Sequence, residues 1–228
     1  MNINLQKELY KIFLKSPLNL FDEFMLECQK WYDIPAHSLG EIIRRNNKKL
    51  RGDIFEDFCV LYLKYVKNYE NVMLLKDVPK GLLEKLGIKR RDVGVDIIVE
   101  HNGIYYAVQC KYKKHISKKR NVLTWKSLST FFALCLRSGP WGKYIVMTNC
   151  EYARHEGKKS EKDLSLCLKT LQNITSDEWL KMCHVEGIKV SDVLESNEIL
   201  IDSEKIYHEE VPELSLREKR LKYYTQDK

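Results

Sequence analysis

Apolar residues stand at positions 54, 55, 58, 61, 62 and 65 of "RGDIFEDFCVLYLKYV" (51–66). Separations of three and four put these side chains on one stripe, which predicts a helix with a buried face. Similar spacing predicts helices over 4–15 and over 18–32, the second following Pro17, and a further one over 38–47. "NVMLLKDV" (71–78) alternates weakly and reads as a strand. "PKGLLEKLG" (79–87) opens on proline and closes on glycine, the signature of a short helix. "TWKSLSTFFALCLRS" (124–138) reads as a buried helix stopped by Gly139-Pro140, and "KYIVMTNC" (143–150) has the composition of a buried strand. Residues 161–173 and 176–183 read as helices, the second capped by Thr175 or Ser176, and the tail from 212 to 228 as a charged helix or a frayed end.

The segment "VDIIVEHNGIYYAVQCKYKK" (95–114) reads as a β-hairpin. Asn102-Gly103 supplies the two positive-φ residues of a type I′ turn. With those two as the loop, His101 pairs with Ile104 and every later pair has residue numbers that sum to 205. Val108 then faces Ile97, Gln109 faces Asp96, and Lys111 projects from the same face as Gln109. The opposite face carries Ile97, Val99, Tyr106, Val108 and Cys110, which suits a core. The centre of the chain therefore reads α-β-β-β-α-β. The last strand can run parallel to its neighbour because a helix makes the crossover.

Composition narrows the class. With 44% apolar and 31% charged residues, the chain is expected to be globular and soluble. No run of about 18 apolar residues is present, and "MNINLQKELYKIF" has no apolar signal-peptide core, so no membrane association is expected. Seven dispersed cysteines without a CxxC pair suggest reduced thiols in an intracellular protein and argue against a zinc ribbon. No GxxxxGK[ST] or GxGxxG segment points to a nucleotide cofactor.

The net charge of +7 is unevenly placed, since residues 101–150 hold nine Lys or Arg and no Asp or Glu. Such a block suits a polyanion, most often nucleic acid; the plain alternative is a solvated basic face. Within it, Lys113, Lys114, Lys118, Lys119, Arg120 and Lys126 are candidate phosphate contacts. Tyr112 and Trp125 are candidates for base stacking, with Trp125 better suited to the core. Ser127 and Ser129 either donate to a phosphate or simply start a helix. In "TNCEYARHEGKK" (148–159), Tyr152, Arg154 and His155 are expected at the rim of any site built here, and His184 and His208 form no metal set.

The hairpin cluster is chemically specific. The Asp96 carboxylate and the Gln109 amide oxygen are hard oxygen ligands for Mg²⁺, and the backbone carbonyl of Cys110 is a candidate third. A lysine beside such a metal orients or deprotonates an attacking water and stabilises developing negative charge. That equipment suits phosphodiester hydrolysis. The alternative is an ordinary half-exposed hairpin in which a lysine sits opposite an acid.

Taken together, "GDIFEDF" (52–58), "RRDVGVD" (90–96) and "VQCKYKK" (108–114) resemble the restriction-endonuclease-like PD-(D/E)xK nucleases, and most of all the Mrr-like branch, where Q-x-K replaces (D/E)-x-K. The resemblance covers roughly residues 50–150. It implies an α/β fold, a mixed sheet flanked by helices in the order α-β-β-β-α-β. It places the metal-binding aspartate on Asp96, the second position on Gln109, the catalytic lysine on Lys111 and a completing glutamate on Glu56. It implies an endonuclease that cuts DNA with Mg²⁺, or with Mn²⁺ as a substitute. Two departures stand out: Val95 replaces the proline before Asp96, and Gln109 brings one negative charge fewer to the metal. Asp92 is an alternative acid if the strand starts early. A DNA-binding module without catalysis on the same fold is the alternative function, and an RNA- or membrane-surface-binding protein a more distant one. Cutting both strands usually takes two active sites, which makes a homodimer an expectation. The expected layout is a helical N-terminal extension over 1–50, the nuclease core over 51–160 and a mostly helical C-terminal extension over 161–228.

Overall fold

The computed structural model describes residues 5–32, 47–91, 94–114, 120–154 and 160–183, all within one compact unit spanning Met1–Val185. The helix expected over 38–47 lies outside these residues except for its last position, as do Asp92, Lys118, Lys119, His155, His184, His208 and the 212–228 tail.

The helices are α1 (Leu5–Lys15), α2 (Leu20–Tyr32), α3 (Asn47–Tyr65), α4 (Lys80–Leu86), α5 (Ser129–Leu136), α6 (Leu168–Gln172) and α7 (Ser176–Met182). The strands are β1 (Asn71–Leu74), β2 (Ile97–His101), β3 (Ile104–Lys111), β4 (Val122–Leu123), β5 (Lys143–Thr148), β6 (Tyr152–Ala153) and β7 (Asp163–Leu166). Five of them form one sheet in the order β1-β2-β3-β5-β7, while β4 and β6 pair parallel in a small second sheet. β2 runs antiparallel to its neighbours β1 and β3, and β3, β5 and β7 run parallel. This is a mixed sheet in which α5 makes the crossover from β3 to β5.

The hairpin forms in the expected register, with Ile97 opposite Val108, Val99 opposite Tyr106 and His101 opposite Ile104. Asn102 and Gly103 take the positive φ values of the turn, 52° and 71°. The expected short helix forms as α4 between Pro79 and a left-handed Gly87. The strand expected over 71–78 stops at Leu74 and continues as a single 3₁₀ turn over Leu75–Asp77.

Two cores flank the sheet. On one face Ile97, Val99, Tyr106, Val108, Ile145 and Met147 pack with Phe55, Phe58, Tyr62 and Leu63 of α3. Leu9 of α1, Phe21 and Phe24 of α2, and Trp179 of α7 share that core. Phe24 stacks on Phe58 with ring centroids 4.7 Å apart, and the Trp179 indole Nε1 donates to the Leu9 carbonyl at 3.0 Å. Gln6 Nε2 donates to the Met182 carbonyl, and Gln172 Nε2 to the Asp22 carboxylate. The N-terminal helices therefore belong to the main core and are not a separate lobe. The other face carries Ile98, Ala107 and Val146 against α4 and α5, with Phe131 and Trp141.

The reading of 161–173 as one helix is corrected. Asp163–Leu166 is a strand that pairs parallel with β5, Tyr144 opposite Asp163 and Met147 opposite Leu166, and only Leu168–Gln172 is helical. The sheet thus extends past residue 160 into the segment expected to be an extension. α7 begins at the expected place, with Thr175 and Glu178 forming a reciprocal capping box.

Candidate active site

β2 and β3 part company at Asp96. The last strand pair is Ile97 with Val108. The Asp96 amide then donates to the Val108 carbonyl at 2.9 Å, one residue short of the position expected from the register. Its carbonyl accepts from Leu75 N on the β1 side at 2.8 Å. A regular strand residue sends both groups to one side, so the ladder breaks here and the expected facing pair of Asp96 with Gln109 is not formed. The Asp96 carboxylate instead accepts the Cys110 amide at 2.7 Å, closing the donor that the lost ladder leaves open. Gly94, two residues earlier, has φ +132° and lies against α5. A Cβ there would come within 3.0 Å of the Phe131 Cα.

Burial pushes the Asp96 carboxyl above its ordinary range, against the opposing pull of the Cys110 amide and the Lys111 ammonium. Glu56, on the buried side of α3, is pushed up to about 7, first by burial and then by the negative charges of Asp96, Asp53 and Asp57. Lys76 pulls it the other way. Asp57 is raised mainly by burial. Glu56 and Lys111 thus each lie within electrostatic reach of Asp96. The Phe55 ring meets the Tyr112 ring edge-on with centroids 6.1 Å apart, so α3 and the end of β3 touch beside Glu56. Two buried thiols, Cys59 and Cys110, hydrogen-bond to each other in the same region.

Gln109 is 2% exposed, and its Oε1 is buried without a hydrogen-bond partner. A buried amide oxygen left unpaired costs about 1–3 kcal/mol, which makes Gln109 Oε1 an acceptor open to a ligand. Among the described residues no group of three His, Cys, Asp or Glu side chains gathers for a metal. Carboxylate, amide and carbonyl oxygens, which Glu56, Asp96, Gln109 and Cys110 could offer, are the hard ligands that suit Mg²⁺.

The basic segment divides. Lys114, Arg120 and Lys126 are exposed. Lys113 is exposed too, and its Nζ donates to the Val122 carbonyl at 3.0 Å, which uses one of the three donors of the ammonium. Tyr112 packs on α3, and Trp125 stacks on Phe132 with centroids 5.1 Å apart, so neither ring is an open stacking platform. Ser129 Oγ donates to the Lys126 carbonyl and Ser127 shares a hydrogen bond with Thr124, which is helix-start chemistry.

Sequence reasoning passed over Thr148 and Asn149. Thr148 Oγ1 donates to the Lys111 carbonyl at 2.7 Å and accepts the Cys150 amide at 3.2 Å. Asn149 Oδ1 accepts the Lys113 amide and its Nδ2 donates to the Lys113 carbonyl, both at 2.8 Å. Thr148 is 0% and Asn149 8% exposed. Two polar residues at the end of the apolar run "YIVM" were the available signal, because a buried polar group implies a specific partner.

A five-stranded mixed sheet flanked by helices is consistent with the restriction-endonuclease-like fold. A family model described as a restriction endonuclease, of the Mrr catalytic type, matches residues 63–185, more than half of the chain, and the chain belongs to that family. The matched segment holds Asp96, Gln109, Cys110 and Lys111 and begins after Glu56. No curated protein and no solved structure matches the chain. Membership places it among the nucleases, with DNA the implied substrate class. No helix among the described residues is long and apolar enough to cross a membrane.

Proposed function

We propose that this chain is a Mg²⁺-dependent endonuclease that hydrolyses DNA phosphodiesters at the Asp96 break. The observation that carries this reading is the pair of partly buried carboxylates Glu56 and Asp96, close enough to feel each other's charge, with Lys111 beside Asp96. Like carboxylates held together partly out of water are relieved either by taking up a proton, the direction in which both are shifted here, or by a bound cation. Glu56, Asp96 and Gln109 Oε1 would hold the metal. The Cys110 carbonyl is the fourth donor, because the amide of the same strand residue already points to Asp96 and both groups of a strand residue point one way. Bound Mg²⁺ supplies Lewis acidity toward a phosphoryl oxygen and a more acidic water.

The chain's own groups do the rest. Asp96 is fixed by the Cys110 amide, which bonds one oxygen of its carboxylate. Lys111 leaves the strand on the Gln109 face, orients the attacking water and stabilises the charge that grows on the non-bridging oxygens. Exposed Lys114, Arg120 and Lys126 contact flanking phosphates and set register without reading sequence.

The test is relaxation and linearisation of supercoiled plasmid with MgCl₂, with Mn²⁺ in place of Mg²⁺, and with EDTA, using wild type, Asp96→Ala and Lys111→Ala. Metal-dependent cutting lost in both variants is the expected result. Salt-sensitive DNA binding without cutting would instead make the chain a binding module on a nuclease fold.

A further inference from the structure

Lys111 is the last residue of β3, paired with Thr148, the last residue of β5. A lysine at the end of a strand needs its backbone fixed, because a flexible terminus would let the ammonium drift from the reacting oxygens. Here the fixing is done by side chains. The Thr148 hydroxyl holds the Lys111 carbonyl at 2.7 Å and is itself held by the Cys150 amide. One residue on, the Asn149 amide bonds both backbone groups of Lys113 at 2.8 Å, as one more strand residue would. Asn121, 6% exposed, backs this corner: its carbonyl accepts the Glu151 amide at 2.8 Å, and its Oδ1 accepts the Cys150 thiol at 3.6 Å. Lys113 Nζ closes the corner on the Val122 carbonyl.

We infer that Thr148 and Asn149 are positioning residues of the nuclease, holding the Lys111–Lys113 backbone so that the Lys111 ammonium stays over the scissile phosphate. The inference rests on the reading of Lys111 as the catalytic lysine. Neither residue touches DNA or metal. Their loss slows the chemical step without weakening either ligand. Asn149 also fixes the point from which the basic segment beyond Lys114 departs.

The experiment measures kcat, the KM for supercoiled plasmid and the Mg²⁺ concentration at half-maximal rate. The full chain is compared with Thr148→Val, Thr148→Ser, Asn149→Asp and Lys111→Ala. Each rate is corrected for the folded fraction at assay temperature, read by thermal unfolding. Thr148→Val is expected to lower kcat by roughly 10- to 100-fold with KM and the Mg²⁺ midpoint unchanged. Thr148→Ser, which keeps the hydroxyl, should recover the rate. Asn149→Asp keeps the acceptor for the Lys113 amide and loses the donor to its carbonyl; it should also lower kcat alone, and it stands in if Thr148→Val does not fold. Unchanged kcat in both variants, a loss carried by KM or the Mg²⁺ midpoint, or failure of serine to rescue would overturn the inference. Full activity of Lys111→Ala would instead overturn the nuclease site on which it rests.

Discussion

Glu56 is the residue whose protonation reports on the site. Its carboxyl is raised from an ordinary 4.5 to about 7, so the folded chain binds more protons than the unfolded one between those values. Its stabilising contribution is complete below about pH 4.5 and is lost as pH rises through about 7. Partial solvent exposure reduces the effect to on the order of 1–2 kcal/mol. Thermal melts in EDTA should therefore show the midpoint falling from pH 5 to pH 7.5, while Glu56→Gln flattens that slope and MgCl₂ opposes it. A second residue-scale expectation concerns Gly94. Its φ of +132° and the 3.0 Å approach to Phe131 leave no room for a side chain. Gly94→Ala should cost about 1–3 kcal/mol in chemical denaturation and slow cutting by shifting Asp96. The pairing from His101 with Ile104 to Ile97 with Val108 was legible because a hairpin with an Asn-Gly turn fixes its own register. The break at Asp96 was not legible, since it rests on two long-range bonds, Leu75 N to the Asp96 carbonyl and the Cys110 amide to the Asp96 carboxylate.

Among the elements, α3 carries both a wall of the core and one acid of the site. Phe58 is fully buried, stacks on Phe24 and lies 6.0 Å from the Trp179 ring. Phe58→Ala should cost about 3–5 kcal/mol in urea unfolding, with cutting falling in step with the folded fraction. The stripe of α3 and the hairpin were readable because each keeps one period over many residues. β7 was not: "DLSLCLKTL" places leucines at 164, 166, 168 and 171, which serves a period of two or of 3.6 equally. The open edge of β5 decides, pairing 163–166 as a strand. β4 and β6, two residues each, are too short to leave any periodic signal.

For the whole molecule, charge placement governs the encounter with DNA. Exposed Lys114, Arg120 and Lys126 lie in the only fifty-residue stretch that the sequence analysis found free of acids. Replacing any one of them by alanine should lower the slope of log K against log[salt] by about one, measured by fluorescence anisotropy on a duplex in Ca²⁺. Lys113→Ala should lower that slope by less, because one donor of its ammonium is engaged with Val122.

The bonds between Gln6 and Met182, and between Trp179 and Leu9, join the first helix to the last across about 170 positions of chain. On a ribosome, which releases the polypeptide from its amino end, the apolar side of α3 has no complete cover until α7 has emerged. Contacts of such long separation form late, and the surface they hide is exposed while translation proceeds. The sheet also lacks its last strand until residue 166 is made. A nascent chain halted at residue 160 should remain open to protease and inert toward DNA, so that the proposed cutting would wait for β7 and α7.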